Sequence, residues 1–475
     1  MRGSRITLVL ALLAVAVAAA RPVVATAAPS PGSARSRTAA SSDPSDFTHF
    51  GNLTIFHAED AAHGEEPWVS DGTRAGTTLL KDVLPGQDSS FPNDFTVGNG
   101  LLFFVADDGT HGDELWKTDG TPAGTKIVKD IVPGDDSAGS FPYDLTNVGG
   151  ELYFAGFDPN HGYELWKSDG TALGTRRVAD INPGMPDSNP GGLINVGGTL
   201  YFGADDGQHG QEMWTLSPGG PQMVADIDQG PGRSLSNEPP EAVLKGSLYF
   251  AADNGKKGTE LWRTTAAGGA KLLKDVQTGP VGSNPVELTT VDTVVFFAAD
   301  DGTNGQELWR TDGTTAGTVL LDINPGPDGS NPSELIRAVS ASNDVLFLSA
   351  TDGQHGDEIW MARPDGTPFM KKDIFAGAEG SDPQFLGGRS GVIFFSAEDH
   401  TSQGVTHGRE LWSVHACCTA ALVFDVRPGT GGSDPSDIAA SNGLLFFAAD
   451  DGVHGDEPWI VGSTASTTAL LKDIA

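Results

Sequence analysis

The densest group of side chains able to do chemistry lies between Glu398 and His407. Glu398, Asp399, His400 and His407 place two carboxylates and two imidazoles in one loop. Imidazole nitrogen and carboxylate oxygen are metal ligands and acid–base groups alike, so these four are the candidate metal ligands. The loop is about five residues longer than its counterparts elsewhere in the chain, which makes it singular. A similar group, His57, Glu59, Asp60 and His63, lies near the start. The strings Asp107-Asp108-Gly109, Asp205-Asp206-Gly207, Asp300-Asp301-Gly302 and Asp450-Asp451-Gly452 offer oxygen ligands to a hard cation. Calcium is the one cofactor this composition suggests, although the spacing is not that of an EF-hand. Cys417 and Cys418 are adjacent. Three outcomes are open to them: an eight-membered disulfide ring, two free thiols, or a cross-link between chains.

Familiar catalytic strings are absent. There is no Gly-x-Ser-x-Gly, no His-Glu-x-x-His, no phosphate-binding glycine loop and no dinucleotide fingerprint. This weighs against nucleotide, zinc-protease and serine-hydrolase chemistry. It does not weigh against glycosidases or polysaccharide lyases, whose residues can come from several elements.

The elements that must position these groups repeat. All nine tryptophans sit in Glu-x-Trp: Trp68, Trp116, Trp166, Trp214, Trp262, Trp309, Trp360, Trp412 and Trp459. Successive spacings are 48, 50, 48, 48, 47, 51, 52 and 47 residues. Each unit opens with Ser-x-Pro, lengthened by one residue in the fifth, and ends near an Asp followed by Ile or Val, from Asp82 to Asp473. A fixed period of this size marks a repeat architecture.

The unit Ser140–Gly184 shows the local pattern. Leu145 to Val148 is apolar, and Gly149-Gly150 marks a tight turn. Leu152 to Ala155 is a continuous apolar run, as a strand covered on both faces requires. Tyr163 to Lys167 carries Glu-x-Trp, Asp169-Gly170 reads as a two-residue hairpin turn, and Arg176 to Ile181 reads as a fourth strand. Four short strands per unit without helical periodicity is the pattern of a propeller blade. The expected fold is all-β, a propeller of about nine four-stranded blades, with eight blades plus an extra unit as the alternative. Counted from the apolar Leu-Tyr-Phe strand, the last blade has three C-terminal strands. Asp46 to Gly51 is then expected to close the ring as its fourth.

Repetition also sorts the polar residues. His63, His111, His161, His209, His355, His407 and His454 each precede a glycine. Catalysis needs a set once, so these read as turn elements. The Glu of Glu-x-Trp is expected to accept hydrogen bonds from a neighbouring loop. The Trp N–H is expected to be satisfied between blades, and the Asp before Ile to bond the Pro-Gly turn.

The strings Glu114-Leu-Trp-Lys-Thr-Asp-Gly-Thr121, Glu164-Leu-Trp-Lys-Ser-Asp-Gly-Thr171 and Glu307-Leu-Trp-Arg-Thr-Asp-Gly-Thr314 resemble the bacterial ELWxxDGT repeat. The resemblance covers about residues 42–475 and implies an exported repeat protein without assigned catalytic residues. Asp-Gly-Thr is missing after Trp214, Trp262, Trp412 and Trp459.

Residues 1–27 have the layout of a secretory signal peptide: Arg2 and Arg5, then an uncharged run from Ile6 to Ala20, then small residues. Residues 28–41 read as a flexible leader, and 42–475 as the nine-repeat propeller. The expected location is extracellular or periplasmic, with no membrane span. The 475 residues carry 29 Lys+Arg and 63 Asp+Glu, a net charge of −34. Five of the basic residues precede position 42, so the remainder stands at −39. Such a surface repels phosphate backbones, and no nucleic-acid partner is expected. The expected function is a non-enzymatic exported propeller binding a protein, glycan or surface component. The alternatives are a carbohydrate-active enzyme, either polysaccharide lyase or glycoside hydrolase, and a calcium-dependent matrix or adhesion protein.

Overall fold

The computed structural model describes residues 40–134, 139–236, 241–339, 344–399, 407–462 and 467–475. The segment read as a signal peptide lies outside them, as does the leader up to residue 39. Among the described residues thirty-six strands, β1 to β36 in chain order, form nine four-stranded antiparallel sheets. Each sheet takes four consecutive strands, so the blades span 45–79, 93–127, 143–177, 191–225, 241–274, 286–321, 333–372, 384–424 and 436–470. The fold is a nine-bladed β-propeller, as the tryptophan spacing requires. No helix of the described residues is long and apolar enough to cross a membrane.

The second strand of each blade is its apolar heart. Leu152, Phe154 and Ala155 are fully buried, as are Phe103-Phe104, Phe296-Phe297 and Phe446-Phe447 to within a per cent. Each such strand packs against both neighbouring blades. Phe103 and Val105 of the second blade, for example, share one cluster with Leu152, Phe154 and Trp166 of the third. Burying each phenylalanine contributes about 1.5–3 kcal/mol. Tight turns precede these strands. Asn99 and Gly100 sit at φ 52° and 74°, and Gly149 and Gly150 at 63° and 94°. Such turns need two left-handed residues, which glycine adopts without strain and asparagine at small cost.

Ring closure differs from expectation. In the first blade, β1 (Ser45–Phe50), β2 (Leu53–Asp60), β3 (Gly64–Ser70) and β4 (Thr78–Leu79) form a complete sheet. The last blade is also complete, with β33 (Ser436–Ser441), β34 (Leu444–Asp450), β35 (Asp456–Val461) and β36 (Ala469–Leu470). No strand is exchanged, because Ser-x-Pro rather than the apolar strand opens the blade. The ends meet instead as two packed blades. Phe47, Phe56 and Trp68 join Phe446, Ala448 and Leu471 in one cluster. The amides of Ser42 and Asp43 donate to Asp456 O at 3.0 and 3.2 Å.

The fourth strands are also shorter than read. In the third blade the pairing covers Arg176–Arg177 alone. The preceding loop is no two-residue turn. It is built by side chains: Asp169 Oδ1 accepts the Thr171 N–H and O–H, and Ser168 Oγ meets Thr175 Oγ1 at 2.7 Å.

Candidate functional site

A buried carboxylate joins each blade to the next. Glu66 accepts the N–H groups of Val83 and Leu84 at 2.9 and 3.1 Å, and the hydroxyl of Ser90 at 2.7 Å. Ser90 is the serine that opens the next unit. The same pattern recurs at Glu114–Ser140, Glu212–Ser234, Glu260–Ser283, Glu307–Ser330, Glu358–Ser381 and Glu410–Ser433; in the fifth unit the opening serine is thus Ser234 rather than the expected Ser236, because Ser234 is the one paired with Gln211 and Asp253. The pattern closes the ring at Glu457, which takes Ser42 Oγ at 2.7 Å. So the Glu takes the amides of the two residues that follow the Asp, while the bond expected from the Asp to the Pro-Gly turn is present in the third blade, where Gly184 N–H donates to Asp180 Oδ2 at 3.4 Å. Asp82, Asp130, Asp226, Asp275 and Asp425 each keep a buried Oδ1 without a hydrogen-bond partner. The tryptophans also depart from expectation. Trp68, Trp214 and Trp459 donate to the backbone. The N–H groups of Trp116, Trp166, Trp309, Trp360 and Trp412 are buried without a partner. Packing holds these rings, helped by lysines lying over Trp166, Trp309 and Trp412.

Burial pushes the carboxyls of Glu66, Glu114, Glu164, Glu212 and Glu410 up to about 7, against the pull of their serine and amide donors. The paired Asp carboxylates raise His63, His111, His209, His355, His407 and His454. Both groups bind protons more tightly folded than unfolded. Their stabilisation is complete below the unfolded values and is lost as pH rises through the folded ones. Thermal unfolding followed by circular dichroism is therefore expected to show the midpoint falling by several degrees from about pH 5 to about pH 8.

The repeated histidines are turn elements. His111 Nδ1 lies 2.9 Å from Asp108 Oδ2, and Asp108 Oδ1 also accepts the N–H groups of Thr110 and His111. The Asp-Asp-Gly carboxylates are thus occupied within their own turns. In the eighth blade Asp399 Oδ2 and His407 Nδ1 are 2.6 Å apart, which is the same pairing across a longer loop. Glu398 does not join them. Its carboxylate lies 3.9 Å from Arg409, because neighbouring residues of a strand face opposite ways. His400 lies outside the described residues.

In the first blade the structure divides the other cluster and adds two residues to it. His57, on β2, faces Ser45 on β1, its register partner. Ser45 Oγ and His57 Nε2 are 2.7 Å apart. On the other side, His57 Nδ1 lies 2.8 Å from Glu65 Oε1, on β3. This is a serine, a histidine and a carboxylate in series. The His57 side chain is 14 % exposed and Glu65 27 %. The contact is close but not aligned as a hydrogen bond: His57 Nδ1 has no hydrogen-bond partner. Asp60 pairs with His63 instead.

The register explains why this set occurs once. At the His57 position the other blades carry Val105, Ala155, Gly203, Ala251, Ala298, Ser349, Ser396 and Ala448. At the Glu65 position they carry Asp113, Tyr163, Gln211, Thr259, Gln306, Asp357, Arg409 and Asp456. Sequence reading singled out His57 but missed Ser45 and Glu65, which become neighbours only through pairing of β1, β2 and β3. Aligning the repeats at this column would have flagged His57 as the exception among small and apolar residues.

The set lies at the inner edge of its blade. β1 packs beside β33 on one side and β5 (Asn93–Gly98) on the other, so the first strands surround the axis. One carboxylate recurs on these strands: Asp46, Asp94, Asp144, Glu241, Glu287, Glu334 and Asp437. Most sit at positive φ, from 43° at Asp437 to 62° at Asp144. The strain is offset by hydrogen bonds to the next blade, as from Leu145 N to Asp94 Oδ2 at 3.0 Å and from Phe385 N to Glu334 Oε2 at 3.0 Å. Burial, then neighbouring Asp144 and Asp46, push Asp94 up to about 6. Burial and then Asp46 raise Asp437, and His57 counters them. The surroundings of His57 are therefore strongly negative.

No protein-family model matches the chain, and no curated protein matches it. Solved structures with a similar fold include a puromycin hydrolase at 15 % identity, covering 75 % of this chain and 58 % of that one, with a TM-score of 0.36. A prolyl endopeptidase structure shows 13 % identity over 78 % of this chain and 54 % of that one, at 0.38. A puromycin-hydrolysing peptidase of Mycobacterium tuberculosis shows 14 % identity over 65 % and 49 %, at 0.37. The chain spans about half the length of these proteins. At such identities the likeness is one of fold. The structures named here are of peptidases, so none of them supports the expectation of a non-enzymatic binding module, a glycan-degrading enzyme or a calcium-dependent adhesion protein.

Proposed function

We propose that the chain is a hydrolase of peptidase type, with Ser45 as nucleophile, His57 as general base and Glu65 as the group that orients the imidazole. The observation that carries this reading is the Ser45–His57–Glu65 series, with contacts of 2.7 and 2.8 Å in one blade of nine. Glu65 favours the tautomer with the proton on Nδ1, which leaves the Nε2 lone pair facing the Ser45 hydroxyl. As Ser45 Oγ bonds to a carbonyl carbon, its proton passes to Nε2. His57 then returns that proton to the leaving amine as the C–N bond breaks, and water releases the acyl group by the reverse sequence.

The carboxylates along the first strands support a substrate class. Asp46 lies next to Ser45, and Asp94 and Asp437 lie on the flanking first strands. Negative charge in a low-dielectric recess attracts lysine, arginine or an α-ammonium group. The proposed substrate is a peptide with a cationic residue beside the bond that is cut. On this reading the chain is an exported ELWxxDGT-type protein in which one blade carries the chemistry.

The test is hydrolysis of peptidyl anilides ending in arginine, lysine, glutamate or leucine. Release from the basic substrates should be at least about tenfold faster, and should slow as salt is added. Release from none of them, or equal release from glutamate and arginine, would overturn the reading.

A further inference from the structure

The hairpin that joins the third and fourth strands of the eighth blade lacks Asp-Gly-Thr. It runs from His415, the last residue of β31 (Gly408–His415), to Ala421, the first of β32 (Ala421–Phe424). Cys417 and Cys418 form a disulfide within it. His415 faces them: its Nδ1 is 3.1 Å from Cys417 Sγ and accepts the Cys417 N–H at 3.2 Å. The Nδ1 lone pair receives the Cys417 N–H and lies beside the Cys417 sulfur. The ligating atoms of His415, Cys417 and Cys418 all lie within 4.8 Å of one another, and both cysteines are exposed. Among the described residues this is the group of three His, Cys or carboxylate side chains close enough to share one ion.

The hairpin is held from outside as well. Lys371 Nζ, from the seventh blade, donates to Ala416 O at 3.2 Å. The Cys418 N–H donates to His415 O at 3.1 Å. Opening the disulfide therefore leaves the three side chains at one bend rather than releasing a loop.

We infer that His415, Cys417 and Cys418 form a redox-gated site for a thiophilic d¹⁰ cation such as Zn²⁺ or Cd²⁺. While the disulfide is closed, neither sulfur is a thiolate, and the site is shut. A dithiol reductant opens it by exchange. One reductant thiolate attacks a sulfur of the pair and forms a mixed disulfide. Its second thiol then resolves that bond, so the reductant becomes a disulfide and the protein gains two thiols. Metal binding releases both thiol protons. Two sulfurs on one zinc ion sit about 3.8 Å apart, so the bonded pair must separate by side-chain rotation once the disulfide is reduced. Imidazole supplies the third ligand, and three protein ligands leave a fourth position open to water or an external ligand. Two thiolates also neutralise the divalent charge. The site is independent of the chemistry at Ser45.

The test uses the full chain, oxidised and after reduction by a phosphine, titrated with Cd²⁺ and followed by the ultraviolet thiolate-to-cadmium band. The reduced protein is expected to bind one equivalent and the oxidised protein none with that band. Cys417→Ser and Cys418→Ser should each remove the band, and His415→Ala should weaken binding about tenfold or more. Circular dichroism of each variant separates loss of ligand from loss of fold. A reduced protein without the band, or a band that survives either serine substitution, would overturn the inference. So would His415→Ala binding cadmium as tightly as the parent.

Discussion

Replacing Ser45 with alanine is expected to reduce hydrolysis of the basic anilides by about 10³-fold or more while leaving the fold intact. Ser45 lies at the edge of a complete four-stranded blade, and alanine removes one hydroxyl whose partner is His57 Nε2. No apolar cluster loses an atom. The loss would lie in kcat, because the hydroxyl acts in bond making rather than in holding the peptide. His57→Ala should cost a similar factor, since an unassisted serine is a poor nucleophile. Glu65→Ala should also cost activity, because the imidazole would lose the contact that selects its tautomer. The Ser45 and His57 effects should not add: the double variant should be about as slow as either single one, as expected of residues that act as a unit. Additive losses would mean that the two act separately.

Replacing Glu457 with alanine is expected to destabilise the ring by roughly 3–5 kcal/mol, on the order of three orphaned donors. Its carboxylate takes Ser42 Oγ at 2.7 Å and the amides of Ile474 and Ala475 at 2.9 and 3.3 Å. Glu260→Ala removes a comparable set: the amides of Val276, Gln277 and Ser283 and the Ser283 hydroxyl. The two differ in connectivity. Around Glu260 the chain itself links the fifth and sixth blades and keeps them together. Between the last blade and the first the closure rests on non-covalent contacts: Glu457, the amides of Ser42 and Asp43 on Asp456 O, His49 with Ser441, Lys472 with Thr77 O, and the cluster around Phe47 and Phe446. Hydrogen exchange after Glu457→Ala should accelerate in both terminal blades. After Glu260→Ala it should change near the substitution alone. Equal, local effects from both would contradict this view of closure.

The sequence carries the fold in residues that recur. Nine Glu-x-Trp strings at nearly equal spacing announce nine blades, and each phenylalanine pair marks a strand covered on both faces. The spacing does not carry the phase. Ser-x-Pro and the Leu-Tyr-Phe run recur with the same period, so either could open a blade, and the structure opens it at Ser-x-Pro. The division of the loop amides between Glu and Asp has a similar origin. Both recur once per unit. Whether Glu66 or Asp82 meets the turn amides depends on how a strand from one blade faces the loop ahead of the next.

The candidate site was half legible. His57 stands out as an unrepeated histidine, but Glu59, Asp60 and His63 were the neighbours that sequence proximity offered. A strand alternates its faces, and Asp60 turns into its own loop. The partners of His57 come from β1 and β3, twelve residues before it and eight after. Only strand register brings them together. The loop at Glu398 drew attention by length, yet its Asp399–His407 contact repeats the Asp–His pairing of the other blades. A repeated pattern identifies scaffold, and the departures from it mark where chemistry can reside.

Treatment with a fluorophosphonate, followed by peptide mass spectrometry, tests the central claim most directly. The reagent phosphonylates serines that an adjacent base has activated, and it requires no knowledge of the substrate. One equivalent is expected on Ser45, lost in His57→Ala and slowed in Glu65→Ala. Labelling that leaves Ser45 unmodified, or that persists at the same rate without His57, would contradict a serine–histidine–carboxylate site in this propeller.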